Sequence, residues 1–191
     1  MGYFDDRKKA EEYIEMVEGY DGRELIEVVK EYLPEGASLL ELGMGPGTDL
    51  DLLRQAYRVT GSDRAQSFLD IYQERNEGAD LLLLDATTLD TDRSFDSIYS
   101  NKVLVHLSED ELRQSFLRQE VVLNPRGILF HTFWYGDKEE FFHGLRFRYY
   151  TEEMLLRIVE SRFEVLAMER YTEMEEDDSI YLVLRARPEP A

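Results

Sequence analysis

The chain has 191 residues and a mass of 22.5 kDa, with 43% hydrophobic and 12% aromatic residues, enough for one globular domain with a core on both faces of a sheet. Its 41 acidic against 22 basic residues give a formal net charge of −19, which repels a nucleic-acid backbone and disfavours DNA or RNA as a partner. There is no cysteine, so disulfides, thiolate nucleophiles and cysteine-bound zinc are excluded; His106, His131 and His143 are too widely spaced for a metal signature, and no metal site is expected.

No apolar run approaches the roughly 20 residues of a membrane span. The first residues, MGYFDDRKKAEEYIEM, are charged, lack the apolar core of a signal peptide and lack the Ser/Thr of a myristoylation motif after Gly2. A cytoplasmic protein without a membrane partner, monomeric or homodimeric, is the expectation. From Tyr3 to Glu18 the apolar residues Phe4, Tyr13, Ile14 and Val17 recur at helical spacing. Gly19-Tyr20-Asp21-Gly22 breaks that helix. A second runs from about Arg23 to Tyr32, carries Leu25, Ile26, Val28 and Val29, and stops at Pro34-Glu35-Gly36.

Ser38–Leu50, SLLELGMGPGTDL, reads as strand, glycine turn and helix. Gly43, Gly45 and Gly47 stand at every second position, so the backbone can take positive φ and a ligand can lie on the main chain with no Cβ between. The helix start adds free N–H groups and a positive dipole end. A P-loop is excluded because no lysine follows these glycines. A dinucleotide fingerprint would need its third glycine at position 48, where the chain has Thr48. Glu41, two residues before the first glycine, would repel a pyrophosphate but tolerate a cation.

ELGMGPGT resembles the glycine loop of the class I, Rossmann-like S-adenosylmethionine-dependent methyltransferases, whose cofactor carries a sulfonium, an ammonium and no phosphate. The resemblance in order and spacing continues to about residue 185. It implies a three-layer α/β/α fold, with a mostly parallel seven-stranded sheet and a C-terminal antiparallel hairpin, in a single domain over residues 1–191. It also implies that helices within residues 1–34 cover the cofactor and that Tyr20 meets its amino-acid end; a core-packing tyrosine is the alternative. Glu41, Gly43, Met44, Gly45 and Gly47 would form the loop side of the cofactor site.

Tyr57–Asp63 reads as a second strand ending in an acid. Asp63 lies about 20 residues beyond the first glycine, where a carboxylate can accept hydrogen bonds from ribose hydroxyls; Arg64 adjoins it. A helix follows from Ala65 to Asn76, with Phe68, Leu69 and Tyr72 inward. Ala79–Asp85, ADLLLLD, is a continuous apolar run of the kind buried on both faces of a sheet. By the resemblance Asp85 takes the adenine amino group, and Ala86 and Thr87 bring a backbone N–H to the ring. Phe95–Asn101 is a fourth strand, after which Ser100, Asn101 and Lys102 would line the cofactor and His106 would face the substrate. The alternative for His106 is a hydrogen-bonded structural residue.

Ser108-Glu109-Asp110-Glu111 is a capping box opening a helix to Leu123. Asn124-Pro125-Arg126-Gly127 turns into a fifth strand, Ile128–Trp134. Tyr135–Tyr150 has no regular pattern and falls where the family inserts substrate-binding elements. Residues 135–150 are thus expected to be a lid, with Trp134, Arg146, Arg148 and Tyr150 at the substrate; arginines suit a carboxylate or phosphate, or they balance neighbouring acids. Thr151 caps a helix through Val159. Two strands, Phe163–Glu173 and Ser179–Arg187, close the chain before a loose tail at Pro188–Ala191.

Methyl transfer from a sulfonium needs alignment and exclusion of water, and a base only for a neutral acceptor. His106, then His143 and Tyr149, are the candidates for that base. The function expected is methyl transfer to a small-molecule acceptor. A non-catalytic S-adenosylmethionine-binding regulator and an NAD-linked oxidoreductase are the competing readings.

Overall fold

A computed structural model describes residues 3–159 and 162–187. The tail at 188–191 lies outside the described residues. Seven strands form one sheet: β1 (Ser38–Leu42), β2 (Arg58–Asp63), β3 (Leu81–Leu83), β4 (Phe95–Ser100), β5 (Leu123–Trp134), β8 (Phe163–Tyr171) and β9 (Ser179–Ala186). Their order is β3-β2-β1-β4-β5-β9-β8. The first five pair in parallel, while β9 runs antiparallel to both β5 and β8. The three-layer fold with its C-terminal hairpin is thus the one expected.

Alternation along β1 divides the core. Leu40 and Leu42 face a cluster built with α5 (Glu109–Val122) and α6 (Glu152–Val159), whereas Leu39 faces α2 (Arg23–Tyr32) and α3 (Thr48–Leu53). On the second side α2 buries Leu25, Ile26 and Val29, each stabilising by about 1.5–3 kcal/mol. A smaller cluster joins α1 (Arg7–Met16) to α4 (Gln66–Arg75) through Ala10, Phe68 and Ile71, which brings the first helix onto the rim of the sheet.

Four expectations need correction. The N-terminal helical pattern is two elements, a 3₁₀ turn at Tyr3–Asp5 and then α1, because the Asp6 carboxylate caps the amides of Lys8 and Lys9. β3 is an edge strand, not a strand buried on both faces: it pairs with β2 alone and leaves Leu83 57% exposed. The Asn124–Gly127 segment belongs to β5, where Phe95 pairs with Leu123 and Ser97 with Ile128, so the extra residues bulge out of the ladder with Arg126 at φ 64. Residues 135–150, read as irregular, contain a second small sheet of β6 (Glu139–Phe142) and β7 (Leu145–Arg148), an antiparallel hairpin with positive φ at His143 and Gly144 in its turn.

Candidate active site

The strand ends of β1, β2, β3 and β4 converge on the glycine turn. Gly43, Gly45 and Gly47 have φ of 66°, 47° and 81°. A Cβ on Gly43 would lie 2.6 Å from both γ-carbons of Val103, and one on Gly47 would enter the Tyr72 ring. Those two glycines therefore serve packing. A Cβ on Gly45 would meet only Tyr13, at 3.9 Å, so the middle glycine presents open main chain, with Tyr13 of α1 above it.

Glu41 lies beneath this turn. It is 3% exposed, its Oε2 has no hydrogen-bond partner, and burial reinforced by Asp49, Asp63 and Asp51 holds its carboxyl well above the usual range. An ionised Glu41 needs a cation beside it, which is the demand that a ligand ammonium or sulfonium meets. Asp63 is also buried; its Oδ2 accepts from Gly45 N at 3.0 Å and its Oδ1 from Ala65 N at 2.9 Å. Burial raises its pKa against these bonds. The Arg64 amide also faces this carboxylate, and of the four acceptor positions on its two oxygens one remains for a hydroxyl.

At the end of β3 the Asp85 carboxylate accepts from Thr87 N at 2.8 Å, while the Asp85 carbonyl accepts from Leu89 N at 2.9 Å. Among the described residues nothing accepts from the Ala86 N–H. An open acceptor on Asp85 and a free donor on Ala86 thus stand side by side, the complement of an adenine edge. Orphaned Glu41, open Gly45 and this donor–acceptor pair together fit S-adenosylmethionine.

Asp49, the second residue of α3, closes the other side: it accepts from Gly22 N at 2.6 Å, Tyr99 OH at 2.8 Å and Asn101 Nδ2 at 3.2 Å. Asn101 in turn accepts from Thr132 Oγ1 at 2.7 Å. Ser100 is wholly buried. Lys102 has φ 56, and its ammonium is fully used by Tyr171, Ser179 and Glu173 and lies 4.1 Å over the Trp134 ring. Its side chain therefore joins β4 to the β8–β9 end of the sheet. Met44 is core, packed with Leu50, Leu69 and Tyr72; Arg64 is exposed. Tyr20 is 62% exposed in the turn after α1.

His106 Nδ1 lies 2.7 Å from the Arg146 carbonyl. A carbonyl only accepts, so the proton sits on Nδ1 and Nε2 keeps its lone pair. Burial lowers the pKa, which keeps the ring neutral near pH 7. Arg146 itself makes only long ion pairs, 3.6 Å to Glu111 and 3.7 Å to Glu139, and its buried Nε has no hydrogen-bond partner. Arg148 pairs with Asp137 at 3.1 Å. Tyr149 stands 6.3 Å from Trp134, ring to ring, and donates to Glu140. His143 is at the exposed hairpin tip, stacked 5.7 Å from Tyr3. Tyr150, expected at the substrate, is instead wholly buried against Phe133, because β7 turns inward there.

Tyr13, Asp49, Val103 and Thr132 were not legible as site residues. Tyr13 reads as one apolar position in a helical stripe. Asp49 reads as an ordinary first-turn acid, although its place directly after the glycines is a signal that could have singled it out.

The strand order, the terminal antiparallel hairpin and the glycine turn with an acid beneath it are those of the class I methyltransferase fold, and the site fits S-adenosylmethionine as cofactor. Residues 39–127 match the family described as methyltransferase domain. Over 101 residues it is 35% identical to trans-aconitate 2-methyltransferase of Variovorax paradoxus (strain S110), covering 51% of this chain and 38% of that protein. The chain thus spans well under half the length of this curated relative. Glycopeptide N-methyltransferase MtfA, complexed with (S)-adenosyl-L-homocysteine, superposes with a TM-score of 0.73 at 18% identity, over 88% of this chain and 91% of that one. The 1,6-didemethyltoxoflavin-N1-methyltransferase of Burkholderia thailandensis gives 0.72 at 19% identity, over 98% and 92%. At these identities the likeness to the solved structures is one of fold.

Proposed function

We infer that this chain transfers a methyl group from S-adenosylmethionine to a small-molecule acceptor. The observation that carries the reading is the open main chain at Gly45 with the orphaned carboxyl of Glu41 beneath it. Bound there, the cofactor supplies an activated methyl on a sulfonium that needs no further activation for in-line displacement. Glu41 balances the cofactor's cationic end, Asp63 accepts from the ribose, and Asp85 with Ala86 N–H reads the adenine. Tyr13 and α1 exclude water from above.

The acceptor lies between Trp134, His106 and the β6–β7 hairpin in this reading. His106 Nε2 is placed to take a proton from a neutral oxygen or nitrogen, and an acceptor that is already an anion needs no such step. The under-bonded Arg146 guanidinium, with Arg148, suits an acceptor bearing a carboxylate. The acceptors in the names of two relatives, trans-aconitate and 1,6-didemethyltoxoflavin, support a small acceptor over a macromolecule.

Calorimetric titration tests this reading. S-adenosylmethionine and S-adenosylhomocysteine should bind at micromolar concentration, NAD should not, and Gly45→Val should abolish the binding. Binding of NAD alone, or of none of the three, would overturn it.

A further inference from the structure

A buried polar chain crosses the α5 side of the sheet, and none of the cofactor or acceptor roles above uses it. Ser115 Oγ donates to the Ala86 carbonyl at 2.5 Å, and Gln119 Nε2 lies 3.0 Å from Ser115 Oγ. Gln119 Oε1 lies 2.7 Å from His131 Nε2, and His131 Nδ1 lies 2.8 Å from Ser100 Oγ. Ser100, Ser115, Gln119 and His131 are all 0% exposed.

The protons in this chain run in one direction. Ser115 has one hydroxyl proton and gives it to Ala86, so it must accept from the Gln119 amide. The Gln119 oxygen then faces His131 and can only accept, which places the imidazole proton on Nε2. Nδ1 is left with a lone pair, filled by the Ser100 hydroxyl. Burial brings the His131 pKa down to about 3, consistent with a neutral ring. The chain can be reversed in one way only: the Gln119 amide flips, His131 becomes the Nδ1–H tautomer, and Ser115 donates to Gln119. In that arrangement the Ala86 carbonyl loses its bond.

We propose that His131 is a positioning residue for adenine recognition, which it directs through Gln119 and Ser115 by holding the Ala86 carbonyl. The inference rests on the reading that adenine lies against Asp85 and Ala86. The peptide between Asp85 and Ala86 is planar, and its carbonyl is occupied by Thr88 N and Leu89 N, so the Ala86 N–H points the opposite way. The next peptide is held by Ser115 on its carbonyl and by Asp85 on its N–H. Arg118 of α5 takes the carbonyls of Thr88 at 2.8 Å and Leu89 at 3.2 Å. Ala86 is thereby clamped on both sides, and His131 supplies one of the two clamps.

The ligand that reports on this geometry is the 6-oxo analogue S-inosylhomocysteine. Adenine offers an acceptor at N1 and a donor at its 6-amino group, matching Ala86 N–H and the Asp85 carboxylate. The inosine base offers a donor and an acceptor in those places, so two like groups face each other on both contacts. Leaving such groups unpaired weakens binding, and the protein should prefer the adenosyl compound by about 100-fold. The preference depends on where the N–H points and is insensitive to a uniform loss of stability.

Calorimetry with both compounds should show the preference falling to about 10-fold or less in Ser115→Ala and in His131→Phe. His131→Gln, which can donate through its amide nitrogen and accept through its oxygen, should retain it. Ser115→Ala changes the smallest group in the chain and serves if His131→Phe does not fold. Nitrogen NMR of the unaltered protein should find His131 protonated at Nε2. An unchanged preference in folded Ser115→Ala, or the Nδ1–H tautomer, would overturn the proposal and leave the methyltransferase reading intact. Failure of the unaltered protein to bind either compound would overturn both.

Discussion

Asp63 Oδ2 accepts the amide proton of Gly45 at 3.0 Å, so the acid that ends β2 holds the one glycine of the Gly43–Gly47 turn whose main chain is open. Cofactor recognition and the shape of the turn thus share a side chain. Asp63→Asn should turn an amide donor toward Gly45 N or Ala65 N, cost about 1–3 kcal/mol of stability and weaken S-adenosylhomocysteine binding by at least 10-fold. Chemical denaturation and calorimetry on the same samples would check this; a variant that keeps full affinity would remove Asp63 from the site.

The three glycines should separate on substitution. Gly45→Ala brings a methyl only into ordinary contact with Tyr13, so its stability loss should be limited to the left-handed backbone, about 1–2 kcal/mol, while affinity for the cofactor falls sharply. Gly47→Ala carries the same backbone cost and drives a methyl into Tyr72, so it should be the less stable of the two. Thermal unfolding in the absence of ligand would rank them.

Glu41 makes stability depend on pH in an unusual direction. Its folded pKa is raised well above the ordinary 4.5, so the folded chain holds a proton that the unfolded chain releases. The associated stability is full below pH 4.5 and is lost as pH rises through the folded pKa. Ligand binding should show the reverse trend, since a cationic cofactor favours the ionised carboxylate and its affinity should rise over the same interval. Glu41→Gln should flatten both trends. Parallel pH titrations of stability and affinity would measure them, and equal slopes in the two proteins would dismiss Glu41 as their source.

His106→Ala should leave cofactor affinity within a few-fold and lower kcat by about 100-fold or more for an acceptor that must lose a proton. With a carboxylate acceptor the same variant should lose far less. Comparing the two acceptor types under saturating cofactor would test the base and identify the acceptor chemistry together.

The glycine turn was legible because backbone freedom imposes a residue type that spacing reveals, and Asp63 as a strand-end acid from its distance beyond the turn, whereas Asp85 and Ala86 were singled out only by resemblance to the methyltransferase family. The terminal hairpin was legible from its two strand patterns and acidic turn. The exposure of Leu83 was not, since an apolar run does not tell a central strand from an edge. Nor was the β6–β7 hairpin, whose strands are partly or fully exposed and lack the alternation that burial enforces. Tyr150 was assigned to the substrate by its neighbours in sequence, whereas its direction is set by the inward turn after β7. The Ser100–Ala86 chain joins residues far apart in sequence, and no local pattern announces it.

The ring contact between Tyr3 and His143 places the start of the described chain beside the hairpin tip. β9, running antiparallel to β5, carries the chain from Ser179 opposite Trp134 down to Ala186, at the opposite end of the strands. An affinity handle, fluorophore or surface linkage joined ahead of Tyr3 would therefore crowd the hairpin, whereas one joined beyond Ala186 would leave that end of the molecule free.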